Sequence, residues 1–321
     1  MKVLPLEFDP ARFERGGKYA LDLVLSTDPV NLELPVLLAR GGNPGKTLVA
    51  TAAVHGDEYE GVRAIYELFE QLETAEMAGD FLASPVANPP AFWNGTRTSP
   101  LDGGNLARVF PGDLEGTPTQ VIAYHLGHCL IARADFYIDL HSGGVKCVMP
   151  SMIGFASDDP RARAAAEAFG AEVLWSHPSL SPGRTVSFAR ERNIPWLYTE
   201  ARGAGRIHPD DLRMMKRGLV NLMCHLRILS GEPERRPIRW RLYCDADTDQ
   251  SLAATRRGFL LIEVELLQRV RKGQLLGRLI DLHGETIESY HAPEEGIVGF
   301  VRQFPVVEPG DPLFLLTQTI E

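Results

Sequence analysis

Side chains of the kinds that bind catalytic metal ions occur in two short motifs of this sequence. The first motif, HGDE at residues 55–58, places His55 and Glu58 three residues apart, and its glycine lets the backbone bend so that both can reach one ion. The second motif, DLHSGG at residues 139–144, supplies His141. Two histidines and one glutamate leave an open fourth position on tetrahedral Zn²⁺, which is the arrangement of catalytic zinc sites.

Each of these motifs also has a plainer interpretation. HGDE is compatible with a turn histidine followed by an acidic helix start, because Asp57 and Glu58 suit a helix N-terminus. His141 is compatible with an Asp-x-His-Ser turn that holds no ion. If a metal does bind, Asp139 alternates with His141 along a predicted strand and is able to orient it from behind.

A third motif, YTEARG at residues 198–203, adds Glu200 at the end of another apolar stretch. A carboxylate near a zinc-bound water can take its proton and later pass it to a leaving amine. One such motif is weak support for an active site. Three apolar stretches that each end in a functional side chain are stronger support. Without an active site, the non-functional interpretation of each of the three motifs would have to be correct at the same time.

Three arginines are candidates for binding a substrate anion, since a guanidinium group matches a carboxylate in a bidentate way. Arg97 and Arg108 lie in a loop over residues 88–118, and a loop of this length in a compact domain is usually functional. Arg202 follows Glu200 by two residues and shares its face if the strand continues. The alternatives are a solvent-facing charge for a loop arginine and a pair with a surface acid for Arg202.

The elements that must position these residues alternate between strands and helices. Buried or half-buried strands are predicted at 20–26, 32–39, 47–54, 81–87, 134–141, 171–175 and 193–201, with a turn at 41–46. Helical spacing of apolar residues predicts helices at 62–72, 119–133, 161–170 and 210–229. This alternation predicts an α/β sheet with helices on both faces.

The pattern changes after Pro237. Short β-rich runs then recur between Gly and Pro residues, which predicts a small all-β domain. A chain of 321 residues suggests two domains at about 150 residues each. We therefore predict a catalytic α/β domain over residues 1–235 and a β-rich domain over residues 236–321.

Composition excludes several classes of function. Asp and Glu number 42 against 33 Lys and Arg, and the net charge of −9 argues against a nucleic-acid partner. The sequence contains no run of 18 apolar residues, so no membrane span is predicted. Its N-terminal residues do not resemble a signal peptide. The four cysteines lie far apart and predict reduced core thiols of a cytoplasmic protein.

Taken together, HGDE, the NLARVFPG loop, DLHSGG and the late strand-end glutamate resemble the succinylglutamate desuccinylase/aspartoacylase family, a branch of the zinc carboxypeptidase superfamily. The resemblance covers residues 45–205 by motif. It implies a zinc-carboxypeptidase-like mixed sheet flanked by helices, and one Zn²⁺ per chain held by His55, Glu58 and His141. It further implies that Glu200 is the general base and acid, and that Arg108, with Arg97, binds the substrate's carboxylate or carbonyl.

The sequence departs from the family pattern at one position of the arginine loop. The family's D-L-N-R reads Asn105-Leu106-Ala107-Arg108 here, so one amide donor of the carboxylate clamp is missing. Arg202 is a candidate to take over part of that role. The HGDEYEG form is also similar to that of bacterial N-acetyl-diaminobutyrate deacetylases.

The C-terminal region resembles a biotinyl/lipoyl-like β-barrel hybrid, a barrel-sandwich-like fold. ESYHAPEEG, at the position of the carrier hairpin, has no lysine, so a swinging-arm role is not expected. A wall or lid near the site, or an oligomer contact, is the expected role instead.

We therefore expect a zinc-dependent amidohydrolase of the cytoplasm that removes the acyl group from a small-molecule N-acyl amino acid, without nucleic-acid or membrane partners and with a possible homo-oligomeric state. The alternatives are a metallocarboxypeptidase acting on small peptides and a binding protein that has lost catalysis.

Overall fold

The computed structural model describes residues 1–28, 30–244 and 250–319. Its strands are β1 Lys2–Val3, β2 Lys18–Leu25, β3 Leu32–Arg40, β4 Asn43–Ala52, β5 Ala78–Ser84, β6 Phe136–Ser142, β7 Cys147–Val148, β8 Met152–Ala156, β9 Val173–His177, β10 Trp196–Ala201, β11 Trp240–Tyr243, β12 Leu252–Ala253, β13 Gly258–Ile262, β14 Arg269–Val270, β15 Leu275–Ile280, β16 Thr286–His291, β17 Gly296–Arg302, β18 Val306–Val307 and β19 Pro312–Thr319. Its α-helices are α1 Glu60–Gln71, α2 Pro89–Asn94, α3 Pro118–His125, α4 Pro160–Phe169, α5 Thr185–Glu191 and α6 Pro209–His225. Short 3₁₀ helices cover Pro5–Glu7, Pro10–Arg12, Thr74–Glu76, Leu106–Arg108 and Ile131–Arg133, and a π-helical turn covers Leu126–Leu130. None of the helices in the described ranges is long and apolar enough to cross a membrane.

Local chemistry sets the ends of the helices. The Asp159 carboxylate accepts the Arg161 N–H at 2.8 Å and begins α4, which ends at Gly170 in the left-handed conformation, with φ of 81°. A capping box of Thr117 and Gln120 begins α3. These caps hold α3 and α4 at fixed starting points beside the sheet.

The central sheet is mixed. Its strand order is β2-β3-β5-β4-β6-β10-β8-β9. The inner strands β5, β4, β6 and β10 pair in parallel, whereas β2, β3 and β8 introduce antiparallel pairs. The mixed sheet confirms the predicted α/β class.

Two apolar cores lie on opposite faces of this sheet because alternate side chains of each strand point to opposite sides. Leu48 and Ala50 of β4 join the core built with α1, α4 and α6. Val49, between them, joins the core built with α3 and α5. Helices therefore cover both faces, as predicted from the strand–helix alternation.

Strands β4, β6 and β10 bring the predicted site residues to one edge. They run in parallel, with Thr51 of β4 opposite Asp139 of β6. In the next pair, Glu200 of β10 lies opposite His141 of β6. The carboxyl ends of parallel strands form the crevice in which ligands bind in open α/β sheets.

The sheet continues into the C-terminal region. β11 pairs in parallel with β9, β19 pairs with β11, and β17 pairs with β19. A second, four-stranded antiparallel sheet has the order β16-β15-β13-β18, and its own apolar core lies between it and β17 and β19. The predicted small β-rich region is therefore present, whereas the boundary at residue 235 stays a prediction.

Several elements differ from the sequence-based expectation. The predicted turn at 41–46 is the irregular start of β4, which shifts register between Asn43 and Lys46. The predicted helix over 119–133 is divided into α3, the π-helical turn and a 3₁₀ turn. β8 and α5 were not predicted, and Gly154 in the middle of β8 explains its weak strand signal.

Candidate active site

The HGDE motif forms a tight turn between β4 and α1. The Glu58 N–H donates to the His55 carbonyl at 3.3 Å. A Cβ atom on Gly56 would lie 2.0 Å from the carbonyl carbon of Ala91 in α2, so this position requires glycine. The turn is thereby pressed against α2, and His55 and Glu58 face the same point.

The structure brings the three predicted metal ligands together. His55 Nδ1 lies 2.8 Å from Glu58 Oε1, and His141 Nδ1 lies 2.8 Å from Glu58 Oε2. One ligand atom from each of the three side chains lies within 4.8 Å of the others. Two imidazole nitrogens and a carboxylate at this spacing form a donor set that suits Zn²⁺.

A network behind the cluster fixes the orientation of His141. Its Nε2 lies 2.9 Å from the carboxylate of Asp139, which is fully buried. That carboxylate accepts hydrogen bonds from Thr51 Oγ1 at 2.6 Å and from Thr185 Oγ1. Because Asp139 engages Nε2, the Nδ1 atom of His141 is the one directed to the cluster, as expected of a metal-ligating histidine.

Burial and charge set the protonation states of the cluster. Burial, reinforced by the nearby Arg97, lowers the pKa of His55 to about 4, so its ring is neutral at pH 7. Burial opposes ionisation of Glu58, yet its close interactions with His55 and His141 hold its pKa well below the usual range. A neutral imidazole and an ionised carboxylate are the forms that bind metal ions.

His141 lies between two carboxylates. Burial disfavours its charged form, but Asp139 and Glu58 raise its pKa well above the ordinary value. Without a metal ion, the position between these two acids therefore favours a positive charge, and a metal ion that binds His141 would displace that proton.

Glu200 lies on the same edge of the sheet, on β10 beside His141. Burial, and then the negative charge of Glu58, raise its pKa to about 8. Its Oε2 atom is buried without a hydrogen-bond partner among the described residues. Glu200 is thus a carboxyl group that can hold or release a proton near neutral pH.

One cavity of about 770 Å³ is lined by the three clustered side chains, by Asp139 and by Glu200. Arg97 and Arg108 line it too, and Arg97 Nη1 lies 3.2 Å from Glu58 Oε1. The side chain of Asn105 accepts the Ala107 N–H at 3.0 Å and so begins the short 3₁₀ turn that carries Arg108. The long loop therefore delivers both predicted arginines to the cavity.

Arg202 is not brought to the cavity. β10 ends at Ala201, so the shared face assumed for Glu200 and Arg202 does not extend that far. The Arg202 N–H donates to Asp211 Oδ2 at 3.0 Å, and its Nη2 lies 3.8 Å from Asp211 Oδ1. The geometry matches the alternative in which this arginine pairs with an acid.

Further side chains of the cavity were not identified from the sequence. The C-terminal region contributes Phe300, Arg302 and Leu315, which makes it a wall of the cavity. His177 and Tyr198 also line it, with Nε2 and the phenol oxygen 2.7 Å apart. The signal for Tyr198 was its spacing of two from Glu200 along a strand, whereas nothing local marked the C-terminal residues.

The chain is similar to known proteins in both sequence and fold. Residues 44–226 match the family model of the succinylglutamate desuccinylase/aspartoacylase catalytic domain. The N-alpha-acetyl-L-2,4-diaminobutyric acid deacetylase of Halomonas elongata is 33% identical over 298 residues, which cover 90% of this chain and 86% of that protein.

Two solved structures are similar over nearly the whole chain. The product-bound ectoine utilization protein EutE (DoeB) of Ruegeria pomeroyi has a TM-score of 0.86 and 29% identity, covering 95% of this chain and 97% of that one. A succinylglutamate desuccinylase from Silicibacter sp. has a TM-score of 0.85 and 28% identity, covering 95% of each chain.

Proposed function

This chain belongs to the succinylglutamate desuccinylase/aspartoacylase family, and from that membership we propose that it is a zinc-dependent hydrolase that cleaves the amide bond of an N-acyl amino acid. A relative named as a deacetylase supports hydrolysis of a carbon–nitrogen bond other than a peptide bond. The observation that carries the proposal is the convergence of His55, Glu58 and His141 beside Glu200 in one cavity.

We assign the zinc ligands to His55, Glu58 and His141. The fit rests on the chemistry of the donor set, with the Nδ1 atoms of both rings directed to the Glu58 carboxylate, and on the anchoring of His141 by Asp139. When bound, zinc polarises a carbonyl oxygen and makes water more acidic.

Glu200 is proposed to carry the proton in this reaction. Its carboxylate takes a proton from the attacking water and then delivers it to the nitrogen of the leaving amine. Burial raises its pKa to about 8 in the metal-free protein, which supports the donating half of this role because the protonated form is favoured.

Arg108 and Arg97 are proposed to hold the substrate. A guanidinium group of the long loop binds the amino acid carboxylate in a bidentate way, and Arg108 also stabilises the charge that develops on the scissile carbonyl oxygen. The same assignment for Arg202 has weaker support, because its guanidinium lies next to Asp211 and outside the cavity lining.

The lining of the cavity supports a small substrate over a peptide. Ser251, Phe300 and Pro312 of the C-terminal region line the same cavity as Glu58 and Glu200, so that a polypeptide would meet this wall. A metallocarboxypeptidase activity is therefore the less supported alternative.

The test combines metal analysis with a screen for amine release. We expect one zinc per purified chain, and release of free amine from N-acyl amino acids but not from peptides. Cleavage of C-terminal residues from peptides would instead support the carboxypeptidase, and no hydrolysis by the zinc-loaded protein would contradict the proposal. The cytoplasmic location and the homo-oligomer stay predictions.

A further inference from the structure

One side of the cavity is built from apolar and aromatic side chains. These are Met149, Trp175, Tyr198, Phe300 and Leu315, here called the apolar wall. Four of them belong to one buried cluster at the junction of the catalytic sheet and the C-terminal region, and Tyr198 packs against that cluster. Because Tyr198 and Glu200 share a face of β10, the apolar wall begins next to the catalytic carboxylate.

Two glycines hold the rings of the apolar wall in place. A Cβ atom on Gly154 of β8 would lie 1.9 Å from the ring of Tyr198. A Cβ atom on Gly299, where β17 shifts its register, would lie 2.5 Å from the ring of Trp175. Each ring therefore lies directly on the backbone of another strand, and this close packing fixes both rings before any substrate binds.

Among the described residues, the two charges that the C-terminal region brings to the cavity, Arg302 and Asp311, are paired with each other. Arg302 is buried, and its Nη2 lies 2.8 Å from Asp311 Oδ2. Its Nε and Nη2 also donate to the Phe304 and Val306 carbonyls. This pair adds no net charge beside the apolar wall, in contrast to the region of Arg97 and Glu58.

We propose that the apolar wall selects N-acyl amino acids that carry a hydrocarbon group, either on the amino acid or on the acyl part. This inference rests on the proposed deacylase function and adds a substrate class to it. An ammonium or carboxylate group placed against Met149 and Leu315 would lose its water, because these two side chains carry no charged or strongly polar group. A hydrocarbon chain gains instead, by about fourfold in kcat/KM for each buried methylene.

The decisive experiment compares two substrates of the same shape. N-acetylnorvaline and N-acetyl-2,4-diaminobutyrate differ in one terminal group, which is a methyl in the first and an ammonium in the second. We expect the zinc-loaded protein to prefer the norvaline compound by at least about tenfold in kcat/KM, the lower end of what one group contributes in an apolar pocket. Equal rates, or a preference for the diaminobutyrate compound, would overturn the inference for the amino acid side.

A second arm tests the acyl side. It compares pentanoyl and succinyl groups, which are similar in length, on one amino acid. A preference in only one arm identifies the part of the substrate that faces the apolar wall. If neither arm shows a preference for hydrocarbon while hydrolysis proceeds, the inference is wrong and the proposed function stands.

Variants connect the preference to the apolar wall. Phe300→Ala and Leu315→Ala should each lower the ratio of kcat/KM for the matched substrates several-fold. This ratio does not depend on the fraction of folded enzyme. Phe259→Ala is the control, because this residue of the same region is 42% exposed and lies outside the cavity lining. An unchanged ratio in both wall variants would contradict the inference.

A binding measurement separates failure of the inference from failure of the proposed function. Calorimetry with Glu200→Gln measures the dissociation constants of the matched compounds without turnover. If the wild-type protein hydrolyses nothing but this variant binds N-acetylnorvaline more tightly than the diaminobutyrate compound, the proposed function fails and the apolar selection stands. Equal binding without hydrolysis would overturn both.

Discussion

At the scale of single residues, the site depends on side chains that each interact with two partners at once. His141 binds Asp139 through one ring nitrogen and faces Glu58 with the other. Asp139 in turn is held by two threonine hydroxyls from β4 and α5. Removing a ligand and removing the residue behind it should therefore have different effects.

The first prediction concerns these two layers. His141→Ala should lose most of its zinc, because two ligands hold Zn²⁺ poorly. Asp139→Asn keeps the ligand and should weaken zinc binding by about 10–100-fold. Competition with a chelator of known affinity measures both. The control is His128→Ala, which should bind zinc like the wild type because His128 is exposed on the π-helical turn. An unchanged zinc affinity in His141→Ala would show that the ligand set is wrong.

The second prediction concerns the base. Glu200→Gln keeps the shape of the side chain and removes the basic carboxylate. We expect retained zinc and a decrease in kcat of at least roughly 10²-fold, as is typical when a positioned acid–base group is lost. Steady-state kinetics on the best N-acyl amino acid measures this decrease, and near-normal turnover would assign the base to another residue.

At the scale of elements, the long loop depends on the start of α3. The carboxylate of Asp102 accepts the Gly104 N–H at 2.9 Å, the Thr119 N–H at 2.8 Å and the Thr119 hydroxyl at 2.7 Å. Asp102 therefore ties the segment between Arg97 and Arg108 to the first turn of α3. Burial opposes its charge, but these hydrogen bonds hold the pKa of Asp102 below its usual range.

The third prediction follows from that pKa. Asp102→Ala should lower the free energy of unfolding at pH 7 by about 1 kcal/mol, the usual effect of losing a helix cap. A carboxyl group whose pKa is lower in the folded state stabilises the protein above its unfolded pKa of about 3.9 and loses that contribution as the pH falls through the folded value. The difference between variant and wild type should therefore shrink in acid.

Urea unfolding at pH 7 and below pH 4 measures this difference. Asp113→Ala is the control in the same loop, since the described contacts of this side chain are limited to a local turn with Glu115. A difference that stays constant down to the lowest accessible pH would show that the charge of Asp102 does not stabilise α3.

The elements also show how much of the site the sequence could predict. HGDE, DLHSGG and Glu200 were found because each follows a local apolar run, and parallel pairing then brings the strand ends together. Phe300 and Leu315 could not be found in this way. Their apolar alternation is that of ordinary core residues, and they reach the cavity only through the distant pairing of β9, β11, β19 and β17.

At Arg202 and in β8, a prediction from local sequence pattern was wrong or missing because contacts distant in the sequence decide the structure there. The shared face of Glu200 and Arg202 required β10 to continue, but β10 ends at Ala201, and Asp211 at the start of α6 accepts the next N–H. In β8, Gly154 lowers the strand propensity of the sequence, although a glycine is needed there because the ring of Tyr198 leaves no space for a Cβ atom. Tertiary contacts decided both cases.

At the scale of the whole molecule, one continuous ladder of strands joins the catalytic sheet to the C-terminal region. β11 extends the sheet from β9, and Trp175 packs among Phe300 and Leu315 across that junction. The region after residue 235 therefore covers an apolar face of the region before it. The predicted boundary describes a change in sequence pattern, and we expect it not to separate two independently stable units.

The fourth prediction tests this expectation. A fragment of residues 1–235 should aggregate or remain partly unfolded, because Met149 and Trp175 would lose the apolar partners supplied by β17 and β19. Gel filtration and circular dichroism of the fragment measure this, with the full chain as reference. A monomeric fragment with cooperative unfolding would establish a separate catalytic domain.

The position of β19 in the chain also matters while the protein is being made. The ribosome releases the proposed metal ligands of the central sheet long before β19, which follows every other described strand and pairs with both β11 and β17. A nascent chain therefore carries its proposed metal ligands outside the ribosome while the face of Trp175 is still uncovered. We expect chaperones to bind that apolar face during synthesis. Pairing of β19 with β11 and β17 then covers the face and ends this binding.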